Sequence, residues 1–359
     1  MPIVISTRFQ ERSCSKFTQK LRQSILHINL LEREGSKILR SLIFSALTVN
    51  LLLLALAIIL DMLFGEPPPK FHPTVWMGRF ITFLERKLKV NGTSKSKRVK
   101  GMLLFLISTT LFGLFCYLAL YICYQVHFLL FLIMGVFLLK STLAIKSMKE
   151  HAIVVAEALE RSDLAKARKL IARIVSRDTS NLDEEHVISA AVESVAESTV
   201  DGFSSPLFYF SIFGVVGAFV YRVINTLDSM VGYRDKRYLY FGWFSALMDT
   251  ITNFVPARIT SYLMVLSSVF TGGNWKYTYE IFRRYRSKTE SLNSGWPIAA
   301  MAGVLKVRLE KPGAYSIGEE LRKLSTESIH QALRVMQVTI LLFVTLVVIP
   351  LLIFMHLLV

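Results

Sequence analysis

The feature that most constrains this chain is the run Gly101–Leu139, thirty-nine residues without Asp, Glu, Lys or Arg. As one helix it would be about 58 Å long at ~1.5 Å per residue, roughly twice the ~30 Å of a bilayer's hydrocarbon. It is therefore read as two helices joined by a tight turn near Gln125–His127. Ser41–Leu60, Phe203–Tyr221 and Val338–Val359 are further uncharged runs of spanning length. Phe254–Phe270 is apolar but holds Pro256 and Arg258, and Trp296–Leu305 is too short to span alone. No alternating strand pattern persists. Hydrophobic residues make up 53% of the chain, charged residues 19%, and the mean hydropathy is +0.46. The expected fold is all-α: a polytopic integral membrane protein with five to six membrane-embedded helices.

The formal net charge of +16 raises the question of nucleic acid. Much of the excess instead flanks apolar runs. Lys87–Lys100 holds Lys87, Lys89, Lys95, Lys97, Arg98 and Lys100 with no acid, and it ends where the longest run begins, the mark of a cytoplasmic flank. No nucleic-acid partner is expected; membrane lipid is. Cys14, Cys116 and Cys123 form no CxxC or zinc spacing, so a disulfide-built extracellular protein is not expected. Residues 1–40 are basic and too long for a signal peptide, and read as a cytosolic or disordered extension. Residues 41–359 read as one membrane-embedded domain, with 140–202 a largely extramembrane helical segment.

Within this apolar chain, polar residues concentrate in four places. Arg177–Gly202 carries Glu193, Glu197 and Asp201 at spacing four, one face of a helix. Asn181 and Glu184 read as a capping box starting that helix, and Gly202 as its stop. Three carboxylates leading into an uncharged run are costly: about 2.5–3.5 kcal/mol each at a bilayer centre. They belong in water, at the interface or beside a cation; a solvated acidic face and a site for Mg²⁺ or a cationic substrate both satisfy this. Tyr221–Trp243 places Arg222, Asn225 and Ser229 on one face with Asp228 adjacent. It ends that helix at Gly232, then clusters Arg234, Lys236 and Arg237 among tyrosines. Guanidinium forks and ammonium charges suit phosphates; an interfacial aromatic belt with flanking positive charge is the alternative. Asp61–Arg79 is a proline-stiffened loop containing His72, a base or a loop histidine. Ser291–Gly313 is rich in small residues that permit close helix packing.

No GxxxxGK[ST], GxSxG or HExxH is present, so any nucleotide site is not a P-loop. Topology poses a conflict. If Phe203–Tyr221 crosses fully, the two most chemically loaded segments fall on opposite faces. Pro206, Gly214 and Gly217 permit a broken, re-entrant helix instead.

Four stretches occur in order: LDMLFGEPPPKFHPTVWMGRFITFLE, RDTSNLDEEHVISAAVESVAESTVDGFSSPLF, YRVINTLDSMVGYRDKRYLYFGWFSALMDTITNFVPARIT and NSGWPIAAMAGVLKVRLEKPGAY. Over about residues 50–320 the chain resembles the CobD/CbiB family of cobalamin biosynthesis membrane proteins (adenosylcobinamide-phosphate synthase). It departs from the family's usual pattern at Leu292, where proline is common, and at Glu66, where aspartate is usual. The resemblance implies an amide ligase that uses ATP and Mg²⁺ to join aminopropanol phosphate, or a similar amino alcohol phosphate, to a propionate carboxyl of adenosylcobyric acid. On that basis Glu193, Glu197, Asp201 and Asp228 are candidate catalytic residues and Mg²⁺ ligands. Arg177, Arg222, Arg234, Lys236 and Arg237 are candidate phosphate or propionate partners. Asn181 and Asn225 are candidate orienting groups, and His72 or Asp178 a candidate base. It further implies a multi-pass protein of the cell membrane with its site facing the cytoplasm, beside other cobamide-synthesis membrane enzymes. The competing class is a corrinoid transporter or scaffold, which should carry internal repeats and ionisable groups within its spans. No repeat is visible.

Overall fold

The structure, a computed structural model, describes residues 46–88 and 92–358. The extension 1–40 and the first residues of the Ser41–Leu60 run lie outside them. Residues Asn50–Met355 form one compact unit.

The chain is an all-α polytopic membrane protein. Helices α1 (Ala46–Phe64), α3 (Ser94–Val126), α4 (Phe128–Lys140) with α5 (Ile145–Glu160), α7 (Glu184–Thr199) with α8 (Ser205–Val231), and α12 (Thr326–Phe343) with α13 (Ile349–Leu357) supply five stretches long and apolar enough to cross a bilayer. Among the described residues the remaining α-helices are α2 (Pro73–Leu88), α6 (Leu164–Ile171), α9 (Trp243–Ser267), α10 (Trp275–Tyr285) and α11 (Gly295–Leu305). The thirty-nine-residue run is broken as expected, at His127, whose extended backbone ends α3 and whose Nδ1 accepts from Leu129 N to cap α4. Apolar α11 is buried along nearly its whole length and packs on α7, α9, α10 and α12 as a core helix. A two-stranded ribbon, β1 (Arg308–Lys311) and β2 (Tyr315–Gly318), pairs antiparallel and packs on α7. Its strands are four residues each, too short for an alternating pattern to stand out.

The backbone between α7 and the end of α8 bears directly on the topological conflict. A straight helix from Glu184 to Val231 would be about 72 Å long. It is interrupted twice. A single π-helical turn covers Val200–Ser204, and Gly214, at φ 65° and ψ −159°, breaks α8 outright. The rings of Tyr209 and Tyr221, about 18 Å apart on a straight helix, stack at 5.5 Å. The Ser205 and Tyr221 hydroxyls, sixteen residues apart, both donate to Asn253 Oδ1. The chain therefore reverses at Gly214, within the broken helix that Pro206, Gly214 and Gly217 permit. A Cβ at Gly217 would lie 2.5 Å from Phe213 Cβ and 2.6 Å from Tyr209 O, so the returning arm needs glycine to pass.

Two local expectations are corrected. The N-cap of α7 is Asp183, not Asn181: its carboxylate accepts from His186 N at 2.9 Å and contacts the His186 ring, satisfying the first-turn donors that a 181–184 box would have served. Gly202 does not stop the helix. It sits in the π turn, where its carbonyl accepts from Ala144 N at 3.0 Å, so the chain continues while the 140–145 turn docks on it. Gly232 does end α8.

Candidate functional site

The reversal at Gly214 brings Glu197, Asp201, Arg222, Asn225 and Asp228 to one end of the hairpin, where the 140–145 turn and α9 meet them. Arg222 is the organising cation. Its Nε donates to Thr142 O at 3.0 Å, its Nη2 makes a second bond to the same carbonyl, and its Nη1 donates to Asn225 Oδ1 at 3.1 Å. Asn225 Nδ2 passes the chain on to Asp249 Oδ1 at 3.3 Å, and Asn253 Nδ2 holds Asp249 Oδ2 at 3.1 Å. Asn253 Oδ1 in turn accepts from Ser205 and Tyr221 at 2.6 and 2.8 Å. Pro256 contributes indirectly: lacking N–H, it leaves Thr252 O without its helical donor, and Tyr209 OH donates there at 3.0 Å. The result is a guanidinium–amide–carboxylate–amide chain tying both hairpin arms to α9.

Asp201 lies in the field of Asp249, Glu197 and Asp228, with Arg222 opposing. Glu197, Asp201 and Asp228 are half-buried, and among the described residues none receives a side-chain hydrogen bond. Open carboxylate oxygens in a partly dry site call for a proton, water or a cation.

Glu193 is different. It is buried and its oxygens are spent: Arg177 Nη2 lies 3.3 Å from both, Ser189 Oγ donates at 2.7 Å, and Tyr315 OH donates at 2.7 Å from β2. Burial, and then the charge of Glu193, push the Tyr315 phenol above its ordinary range, keeping it the donor. The expected set of four carboxylates thus divides into one occupied member and three open ones. Arg177 Nη1 is buried with no partner among the described residues, and Glu197 feels its charge, leaving a donor free for an anionic oxygen.

The third constellation joins from the other side. Asp61 accepts from Ile145 N and Lys146 N at 3.0 and 3.3 Å, capping α5. Lys140 Nζ and Lys146 Nζ donate to Gly65 O and Leu63 O at 2.6 and 2.7 Å. His72 is buried; its Nδ1 accepts from Thr74 N at 3.3 Å, and its Nε2 lies 3.7 Å from Glu66. Burial lowers its pKa, Glu66 opposes, and Arg222 and Lys140 add to the lowering. The ring is thus held as the neutral base near Arg222.

Other expected residues lie elsewhere. Asp178 is exposed and accepts from Ser180 Oγ and N, which lower its carboxyl; Asn181 is also exposed. Arg237 donates to Glu85 at 2.7 Å, where Tyr238 OH also donates, clamping the 233–240 loop to α2. Arg234 pairs with Glu290 at the surface and Lys236 is exposed. Between α2 and Met230 of α8 a cavity of about 560 Å³ is lined by Val75, Gly78, Arg79, Thr82, Phe83, Arg86 and Met230. Sequence reading missed Asp249 and Asn253, although an acid and an amide four apart in an apolar helix are a visible signal. It also missed Thr142 and Tyr315, which only tertiary contact reveals.

Among the described residues no three His, Cys, Asp or Glu side chains converge to hold a metal by themselves. The open carboxylates fit Mg²⁺ in its usual manner, one or two carboxylates completed by waters and substrate phosphates.

The family model for "CobD/Cbib protein" matches residues 54–336. A "Cobalamin biosynthesis protein CobD" of Dehalococcoides mccartyi is 40% identical over 78% of this chain and 90% of its own length. A "Probable cobalamin biosynthesis protein CobD" of Pyrococcus abyssi is 42% identical over 81% and 92%, and one of Methanocaldococcus jannaschii 39% over 82% and 96%. No solved structure matches the chain. A family match over residues 54–336, with relatives about 40% identical over roughly four-fifths of the chain, places the chain in the CobD/Cbib family.

Proposed function

We propose that this protein serves cobalamin biosynthesis as an amide ligase. It joins aminopropanol phosphate, or a similar amino alcohol phosphate, to a propionate carboxyl of adenosylcobyric acid, giving adenosylcobinamide phosphate. The observation that carries this reading is the convergence of Asp201, Asp228, Asp249, Arg222 and Asn225 at the mouth of the reversed hairpin. Family membership and the relatives' names supply the pathway; this cluster supplies the chemistry.

A carboxylate is a poor electrophile, and Mg²⁺–ATP, when bound, supplies the phosphoryl group that makes it a good one. The protein's own residues do the rest. Glu197, Asp201 and Asp228 would hold Mg²⁺, with Asp249 fixed by two amides as the rigid wall behind them. Arg222 and Arg177 Nη1 neutralise phosphate or propionate oxygens. Neutral His72 takes the proton that the amine must lose as it attacks. The hairpin keeps these groups fixed relative to one another, so positioning costs little at the moment of reaction. The site faces the cytoplasm of a cell membrane, where ATP is available.

The test is to incubate membranes bearing the protein with adenosylcobyric acid, aminopropanol phosphate, ATP and Mg²⁺. Mass spectrometry should find the amide only when all four are present. Absence of the amide, with corrinoid taken up into sealed vesicles, would instead establish a transporter.

A further inference from the structure

The carboxylate site makes no use of a second polar feature on α9–α11. The guanidinium of Arg258 lies 4.6 Å from the centroid of Trp296 and that of Arg286 4.7 Å from the same ring. Each is braced again, Arg258 over Phe254 at 3.4 Å and Arg286 over Phe282 at 5.7 Å. Two cations thus share one indole, and Arg258 feels the charge of Arg286. Among the described residues neither pairs with a carboxylate. The acids close by in sequence are engaged elsewhere, Glu290 with Arg234, and Glu280 with Arg284.

Arg258 Nη1 donates to Phe254 O at 2.6 Å and Asn293 Oδ1 at 3.0 Å, and Nη2 to Leu292 O at 3.4 Å. Those bonds fix the fork and leave Nε–H and one Nη2–H without an acceptor. The side chain of Arg286 makes no hydrogen bond among the described residues, so its whole fork is available. Arginine stacked on an aromatic ring retains its in-plane donors for a bidentate oxyanion. The outer face of α9 around Arg258 exposes Phe254, Val255, Tyr262 and Leu266, an apolar strip suited to lipid.

We propose that Arg258 and Arg286, braced on Trp296, bind a phosphate group at a site separate from the carboxylate cluster. The group is the headgroup of an acidic phospholipid or the phosphate of a soluble ester. Asn293 links this site to the first: it accepts from Arg258 and donates to Thr250 O at 2.9 Å, the residue beside Asp249. The proposal stands independently of the ligase reading.

Full-length protein in nanodiscs separates the two sources. One arm compares phosphatidylcholine discs with and without phosphatidylglycerol, reading retained lipid by native mass spectrometry. The other titrates glycerol phosphate into phosphatidylcholine discs, reading tryptophan fluorescence against Trp296→Phe as the blank. Either retention of phosphatidylglycerol or saturable binding of glycerol phosphate is expected, weakened at least tenfold in Arg258→Gln/Arg286→Gln. Arg286→Gln alone, which removes no hydrogen bond and so preserves the fold, should weaken it several-fold. Wild type that shows neither response, or responses equal in all variants, overturns the proposal and leaves the two arginines as packing groups.

Discussion

Arg222 and Arg177 show why a residue type alone does not define a role. Arg222 spends its fork on Thr142 O and Asn225, which fixes its position without cancelling its charge. Arg177 meets Glu193 in a nearly dry pair, the side chains 11% and 6% exposed. Removing one partner of such a pair strands the other, typically costing about 3–5 kcal/mol. Arg177→Met should therefore lower stability by roughly that amount, whereas Glu197→Gln, which removes an open carboxylate, should leave thermal stability near wild type while reducing turnover. Equal destabilisation by both would show that Glu197 is structural. His72 gives a pH signature. Its folded pKa is depressed by burial, so folding favours the neutral ring. That contribution is complete above the ordinary value near 6.5 and is lost as pH falls from there toward the folded value. The stability of wild type relative to His72→Asn should decline on acidification below about pH 6.5; a difference that does not vary with pH contradicts the assignment.

Among the elements, the hairpin carries the most weight. Helix breaks at His127 and Gly232, the buried short helix α11 and the glycine-rich stretch 206–217 were all legible, because uncharged length and glycine or proline chemistry are local properties. The direction of the chain after Gly214 was legible only as an alternative, since it depends on Asn253 receiving both Ser205 and Tyr221. The π turn at 200–204 was not legible, because it arises from the docking of Ala144 on Gly202. The same holds for the site: the acidic face of α7 was visible in its spacing, but that Glu193 is engaged while Glu197 is open depends on β2 delivering Tyr315. At Gly214 a β-branched residue would be forced into a conformation that only glycine adopts cheaply, a cost of order 1–3 kcal/mol. Gly214→Val should thus shorten the life of the folded protein in detergent. In Tyr209→Cys/Tyr221→Cys a short bismaleimide should cross-link the two arms; no cross-link would favour a continuous helix.

At the scale of the whole molecule, a hairpin that reverses at Gly214 would return both loaded segments to one face of the membrane. The starts of α7 and of the 233–240 loop should be accessible from the same side. Single cysteines in place of Glu184 and Lys236, both exposed, in a background lacking the three native cysteines, should react with an impermeant thiol reagent from the same side of oriented vesicles. Labelling from opposite sides would mean that the hairpin opens in the bilayer. The most direct measurement is amide formation by wild type and by Asp201→Asn, at equal amounts of folded protein and saturating Mg²⁺ and ATP. Wild type should yield adenosylcobinamide phosphate and Asp201→Asn should be slower by about 10²–10³-fold, the usual loss when one preorganised electrostatic group is removed. Equal rates in the two proteins, or no amide from either, would contradict a ligase site at the mouth of the hairpin.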